Sequence, residues 1–538
     1  MGPLVKRKRT VLRYRPEVPD SHETEAQQLG VRADLLEVLA RRALTEDAAR
    51  PDAVEKLHAR GGRTAREHVA ELVDPGSFVE YGRFVTAAQE ARRSTDDLLD
   101  RTVADGIVGG LATIDGHACA VLSYDYLVMA GTQGMRGHHK TDRLMDVIER
   151  LDLPTVFFAA GGGGRPGDTD MPLISALDVT TFAAWARLSG RVPRIAVVDG
   201  NCFAGNAVIA GCADLIVGTP RTSLGMGGPA MIAGGGLGDV VAADVGPLDV
   251  MVDNGVVDVV ADPDDAAATA RRLLGYFTGP TRDWAAPDQA LLRDAVPEGE
   301  RAAFDVLPVV ETMCDEDSVT VLRPGFAPEL VTALGRIEGH AVGVVANDSR
   351  HLAGAITADA GDKAARFLQL CDAHGLPVIS LVDTPGMMVG PEAERTGLVR
   401  HTSRLLVAGA SLRTPLIGIV LRRAYGLGAQ AMLGGSTHEP LMTLAWPSAH
   451  LGAMGLEGAV RLALRRELEA VEDEAERERQ VRELTAAARE RAAALNVARY
   501  FELDDVIDPA ETRGIVAQLL AAARRDRPAD RGRPVDTW

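Results

Sequence analysis

The sequence predicts an α/β protein built from two copies of one domain, each a mainly parallel sheet covered by helices. Three observations predict it. First, the chain repeats itself: "LATIDGHACAVLSYD" (111–125) matches "LGRIEGHAVGVVAND" (334–348), 223 residues on. "RLDLPTVFFAAGGGG" (150–164) matches "AHGLPVISLVDTPGM" (373–387) at the same offset. "VPRIAVVDGNCFAGNA" (192–207) then matches "TPLIGIVLRRAYGLGA" (414–429) one residue out of step, and "SLGMGG" (223–228) echoes "HLGAMG" (450–455). Second, apolar runs of strand length alternate with helical patterns inside each copy, as in sheets whose strands are joined by helical crossovers. Third, 538 residues are too many for one ordinary core.

Each copy opens on an apolar strand with the turn I-D/E-G-H-A. An amphipathic helix is expected over Thr141–Leu151 and Lys363–His374, and a buried strand follows each Leu-Pro. A Gly-rich loop comes next, then a helix over Val179–Leu188 and Thr396–Gly409, an apolar strand and a second Gly-containing bend. The domains therefore divide as 31–300 and 301–525. Residues 1–30, polar and Pro-containing, read as a poorly ordered tail, and 526–538 as a second tail. The run 465–495 reads as one long charged helix, with Glu478 and Arg482 spaced for i,i+4 pairing.

Composition narrows the function. Apolar residues are 46% and charged residues 25% of the chain, and the formal net charge is −18. That acidity argues against nucleic acid as the main partner. The basic run Lys6–Arg9 reads as part of the tail. The five cysteines (Cys119, Cys202, Cys212, Cys314, Cys371) form no CxxC pair, so buried thiols in a reducing compartment are expected and a zinc ribbon is excluded. No signal peptide and no apolar run of spanning length are present, which predicts a cytoplasmic protein without metal or membrane attachment.

Two Gly-rich bends carry the chemistry. One is "GGGGRPGDTD" (161–170), directly after the strand "TVFFAA"; the other is Gly426-Leu427-Gly428-Ala429, leading into "AQAML". Successive N–H groups at a helix start can hold an oxyanion without help from side chains, because they lack intrahelical acceptors. The first bend lacks the Lys-Ser/Thr of a P-loop, and no acidic residue of a dinucleotide site follows it at the right distance. No G-x-S-x-G elbow occurs, and His138, His139 and His401 stand without the partners of a nucleophile system.

The sequence resembles the carboxyltransferase component of biotin-dependent acyl-CoA carboxylases, of the crotonase-like fold, over about residues 40–525. The resemblance rests on "RTAREHVAELVDPGSFVEYG" (63–82), "VDTPGMMVGPEAERTGLVRHTSRLL" (382–406), "RRAYGLGAQAM" (422–432), "AWPSAHLGAMGLEGAV" (445–460) and "ELDDVIDPAETR" (502–513). It implies two oxyanion pockets. The amides of Gly162 and Gly163 would polarise the acyl-CoA thioester, those of Leu427 and Gly428 would hold the carbonyl of carboxybiotin, and Gln430 would take the acyl-selectivity position. It also implies the missing base: the ureido anion left when carboxybiotin loses CO2 takes the α-proton, and the enolate attacks the CO2. Arg136, Lys140, Arg143 and Arg165 are the phosphate partners expected for CoA, a solvated helix face being the alternative.

The chain departs from the commoner pattern in three places. "GGGGR" replaces S-G-G-A-R, "AGNA" (204–207) replaces A-G-G-A, and Leu427 replaces a glycine; a backbone N–H survives each change. No A-M-K-M-like attachment sequence occurs, so biotin and its carboxylase are expected on a partner chain. The resemblance further implies a homohexamer in which the two pockets meet across subunits. The product would be malonyl- or methylmalonyl-CoA. The rival readings are a biotin-dependent decarboxylase and a non-catalytic scaffold subunit. A crotonase-like hydratase is disfavoured, since it needs carboxylates beside a single oxyanion hole.

Overall fold

The computed structural model describes residues 30, 32–165, 167, 168, 170, 177–299, 301–523 and 533–538. The expected tail 1–30 lies outside these apart from Gly30, as do residues 526–532 of the second tail.

Two sheets share one plan. The first sets Val79–Glu80, Ile107–Ile114, His117–Tyr124, Thr155–Phe158, Arg194–Val198, Leu215–Gly218 and Val259–Val260 side by side in chain order. The second repeats it with Thr320–Leu322, Leu330–Ile337, His340–Asn347, Val378–Thr384, Leu416–Tyr425, Met442–Ala445 and Asp505–Val506. In each, the first three strands run antiparallel and the rest add in parallel. The hairpin turns explain the repeated D/E-G: Asp115 and Glu338 sit at φ 50° and 51°, and Gly116 and Gly339 at 77° and 78°. Two left-handed central residues give the turn that matches strand twist.

The two copies differ in one strand. The second copy's strand runs unbroken through Leu416–Tyr425, whereas the first stops at Val198 and resumes at Asn201. Gly200, at φ 133°, makes that break.

The expected helices form, with the first of each copy one turn or more longer than the pattern showed: Met135–Leu151 and Ala358–His374. Thr357 caps the latter by accepting the Ala360 N–H, a start that apolar periodicity does not register. The second helices are Thr181–Arg187 and Leu398–Ala410. The expected single helix over 465–495 is broken into Arg465–Glu469 and Glu474–Ala492. Asp473 is the reason: its side chain accepts the Ala475 N–H and starts a new helix. Glu478, expected to pair within its helix, instead receives Arg461 of helix Leu456–Ala463 at 2.9 Å.

One hydrophobic cluster runs through both halves, joining Val121, Val156, Val197 and Val217 of the first sheet with Ala364, Phe367 and Leu368 of helix Ala358–His374. That helix is buried along most of its length. A buried ionic group reinforces the seam. Asp214 of the first half takes Arg194 at 2.9 Å, and the second half adds the Arg366 guanidinium on the Asp214 carbonyl and His374 at 3.3 Å. Burial disfavours the ionised Asp214 carboxyl, but Arg194 and His374 outweigh it and hold it far below the usual carboxylate range. Residues 533–538 lie across the same seam, with Val535 hydrogen-bonded to Ser189, Arg533 to the Ser411 carbonyl and Asp536 to Arg404. No helix among the described residues is long and apolar enough to cross a membrane.

Candidate active site

The C-terminal bend is assembled from the end of a strand buried along its whole length, Leu416–Tyr425. Asp383 fixes that end by accepting from Arg422 and Arg423, each at 2.8 Å. Gly426 then turns the chain at φ 58°, and helix Gly426–Met432 begins. Leu427 and Gly428 stand in its first turn, where N–H groups have no intrahelical acceptor, and neither has a hydrogen-bond partner among the described residues. A Cβ on Gly428 would lie 2.5 Å from the Gly386 carbonyl carbon and 2.8 Å from the Met387 nitrogen. Glycine is therefore what lets the helix start press against the loop 385–387. Leu427 is 62% exposed, and Gln430 is exposed one turn further on. The site opens to solvent here.

The N-terminal bend follows the same backbone path. Ala204, at φ 50°, stands where Gly426 stands, and helix Gly205–Gly211 follows. The bridges Gly161↔Cys202 and Gln133↔Gly164 reproduce the Thr384↔Ala424 pair and the Ile356↔Met387 bridge. The difference that enters the loop lies at one position: Asn206 occupies the place of Gly428. Its side chain is fully buried, with Oδ1 accepting the Gly163 N–H at 2.9 Å and Nδ2 donating to the Ala159 carbonyl at 3.1 Å. The Gly162 N–H donates to the Ala130 carbonyl at 3.0 Å. The expected donor pair, Gly162 and Gly163, is thus already engaged. Gly164, one residue on and exposed, is the member of this loop whose N–H has no partner among the described residues.

The four basic residues expected on CoA do not form one cluster. Lys140 is 6% exposed, and its ammonium donates to the carbonyls of Ala104 and Ile107. Lys363 does the same in the second copy, donating to Phe326 and Ala327 at 2.7 and 3.3 Å. Lysines at the same repeat position, each capping the left-handed turn at Ala104 or Ala327, hold the fold. Burial pushes Lys140 down to about 8 and Lys363 to about 7, against the pull of Glu80 and Glu329. Arg165 is likewise internal: it pairs with Asp105 and donates to the Thr132 carbonyl at 2.8 Å. Asp105 and Asp168 accept the Gly137 and Met135 N–H groups, so Arg165 ties the glycine loop to the start of helix Met135–Leu151. Arg136 is half-buried and paired with Glu90 at 2.6 Å, and Arg143 is exposed beside Asp146 at 2.7 Å.

The histidines have structural surroundings. His138 meets the Thr181 hydroxyl at 2.9 Å, with burial pushing its pKa down, and His401 meets Asp362 at 2.6 Å.

A carboxyl transferase domain model matches residues 56–532. The chain belongs to the carboxyl transferase family. It is 34% identical over 434 residues to the methylmalonyl-CoA carboxyltransferase 12S subunit of Propionibacterium freudenreichii, covering 78% of this chain and 81% of that one. It is 33% identical over 475 residues to the propionyl-CoA carboxylase beta chain of Saccharopolyspora erythraea, covering 84% of each. Among solved structures, a single-chain, multi-domain long-chain acyl-CoA carboxylase matches with a TM-score of 0.87 and 52% identity over 91% of this chain. This family member spans 49% of that longer enzyme. The transcarboxylase 12S hexamer, solved with methylmalonyl-CoA, matches with a TM-score of 0.80 and 32% identity, covering 93% of this chain and 97% of that one. The expected kinship with carboxyltransferases of biotin-dependent acyl-CoA carboxylases, and the duplicated crotonase-like fold, are borne out.

Sequence reasoning missed Asn206 as a side chain of the N-terminal bend, and missed the lysine pair. The signal for the lysines was present: Lys140 and Lys363 fall on the repeat offset.

Proposed function

We propose that this chain transfers the carboxyl group of carboxybiotin, borne by a partner carrier protein, to the α-carbon of a short acyl-CoA such as acetyl- or propionyl-CoA. The observation that carries the reading is the helix start at Leu427–Gly428, whose two N–H groups are open and pressed against the Gly386 loop. Such a donor pair fits a urea carbonyl, which accepts hydrogen bonds and gains negative charge as the carboxyl group departs. Carboxybiotin would supply the carboxyl group and, as the ureido anion left behind, the acceptor for the α-proton; alignment and the hydrogen-bond donors fall to the chain. The half 31–300 takes the acyl-CoA, with the Gly164 N–H replacing the engaged Gly162 and Gly163 amides as the thioester donor. The half 301–525 takes the biotin arm. Gln430 borders the acyl chain, and Arg143 and Arg136 are the basic groups left for the nucleotide. The 12S relative's hexamer supports a homohexamer here; in it the N-terminal bend of one subunit would face the C-terminal bend of another. The working place is the cytoplasm, alongside a biotin carboxylase.

A second reading, a longer acyl chain, is favoured by the 52% identity with the long-chain enzyme. One experiment tests both. The purified chain is incubated with malonyl-CoA, methylmalonyl-CoA or a long-chain 2-carboxyacyl-CoA, with and without free biotin, and the decarboxylated thioester is followed by mass spectrometry. Biotin-dependent loss of CO2 is expected, fastest for the true acyl length. Consumption of none of the three overturns the proposal.

A further inference from the structure

We infer that Asn206 is the positioning residue of the acyl-side pocket, and that it decides which amide of the glycine loop is offered to the thioester. The inference rests on the function proposed above. Asn206 is separated from Gly163 by a helix, two strands and a helix start, yet its carboxamide lies inside the loop. Oδ1 takes the Gly163 N–H at 2.9 Å, and Nδ2 reaches the Ala159 carbonyl at 3.1 Å. One buried side chain thus fixes both the end of strand Thr155–Phe158 and the loop that leaves it. Gly163 is held at φ 86°, and a Cβ there would come within 2.8 Å of the Ala204 Cβ, so the loop also rests on the residue that starts the helix. With Gly163 satisfied by Asn206 and Gly162 by Ala130, the next residue, Gly164, is exposed and its N–H has no partner among the described residues.

The second copy shows that the arrangement is specific to the first. At the position of Asn206 it has Gly428, so no side chain reaches the loop from the helix start. Gly386, the counterpart of Gly163, instead donates to the Thr384 hydroxyl at 3.1 Å. The loop there is fixed from its own strand, while the helix-start N–H groups have no partner among the described residues in either copy. Asn206 therefore acts on the acyl-side pocket and leaves the biotin-side pocket untouched.

The test compares Asn206→Ala and Asn206→Asp with the wild type. Asp keeps the acceptor for the Gly163 N–H and loses the donor to Ala159. Two readouts are taken: biotin-dependent decarboxylation of the preferred carboxyacyl-CoA, and hydrogen exchange of the peptide containing Gly163. For Asn206→Ala the expected result is a kcat lower by about 10–100-fold, the scale of a displacement near 1 Å. The KM for free biotin stays unchanged, and exchange at the Gly163 amide is faster. Asn206→Asp keeps the amide protected and falls between. Wild-type kcat and exchange in Asn206→Ala overturn the inference. So does a parallel shift of kcat, biotin KM and Tm in both variants, which marks a residue that only holds the fold. A wild type without biotin-dependent turnover rejects the proposed function instead, and unchanged exchange at Gly163 then rejects the positioning contact separately.

Discussion

The two glycine bends share a backbone and differ in the side chain that fixes the loop beside it. Ala204 and Gly426 turn the chain at φ 50° and 58°, a short helix follows each, and the same bridges hold the neighbouring loop. At the next position but one, the first copy has Asn206 and the second has Gly428. In the first, the carboxamide saturates Gly163. In the second, the absence of a side chain lets the loop and the helix start touch. Duplication has preserved the geometry that makes an oxyanion site possible, while one side chain changes how the neighbouring loop is held. Equivalent backbones are not equivalent sites.

The sharpest way to break this comparison is Gly428→Asn, which installs in the second bend what the first already has. Its Cβ would meet the Gly386 backbone at 2.5 Å, so the helix start must move away. Biotin-dependent turnover is expected to fall by at least about 10²-fold, the cost of losing one oxyanion donor. Retained activity would mean that the two bends are interchangeable after all.

A smaller effect is expected where the copies are alike. Lys140→Met and Lys363→Met each orphan buried carbonyls and should cost about 1–3 kcal/mol in urea unfolding, without change in the KM for acyl-CoA. The pH dependence follows from the depressed pKa of about 7 at Lys363. Between that value and the ordinary one near 10.4, the unfolded chain binds the proton and the folded chain does not, so this lysine's contribution to stability rises with pH. The destabilisation by Lys363→Met should therefore be greater at pH 9 than at pH 7 by about 2 kcal/mol. An equal cost at both values would contradict it.

The least effect belongs to Leu427→Gly. The side chain is 62% exposed and the N–H is retained, so turnover should stay within about threefold and stability within about 1 kcal/mol. A large loss would show that the Leu427 side chain, and not its amide, contacts the ligand.

The duplication was legible because offsets survive in sequence when contacts do not. The strands and the two bends followed from it. The N-terminal donors did not, because Asn206 reaches Gly163 across the fold, and "AGNA" alone reads as a surviving N–H. The basic stretch 136–143 misled for a related reason. Its residues lie on one helix, yet Lys140 turns inward to a carbonyl while Arg143 faces water, and charge alone does not separate them. Asp473 broke the long helix through a side-chain cap that charge patterning overlooks.

The shared core has a consequence for biosynthesis. The face of the first sheet shares its hydrophobic cluster with helix Ala358–His374, which ends about 115 residues beyond Val260, the end of that sheet's last strand, in the second copy. At about 5–20 residues per second, a ribosome needs roughly 6–23 s to cover that distance. Throughout that interval the nascent first half has its strands but not the helix that closes the seam. The duplicated domain is therefore a unit of ancestry that does not complete its own folding: its last layer arrives with the second copy.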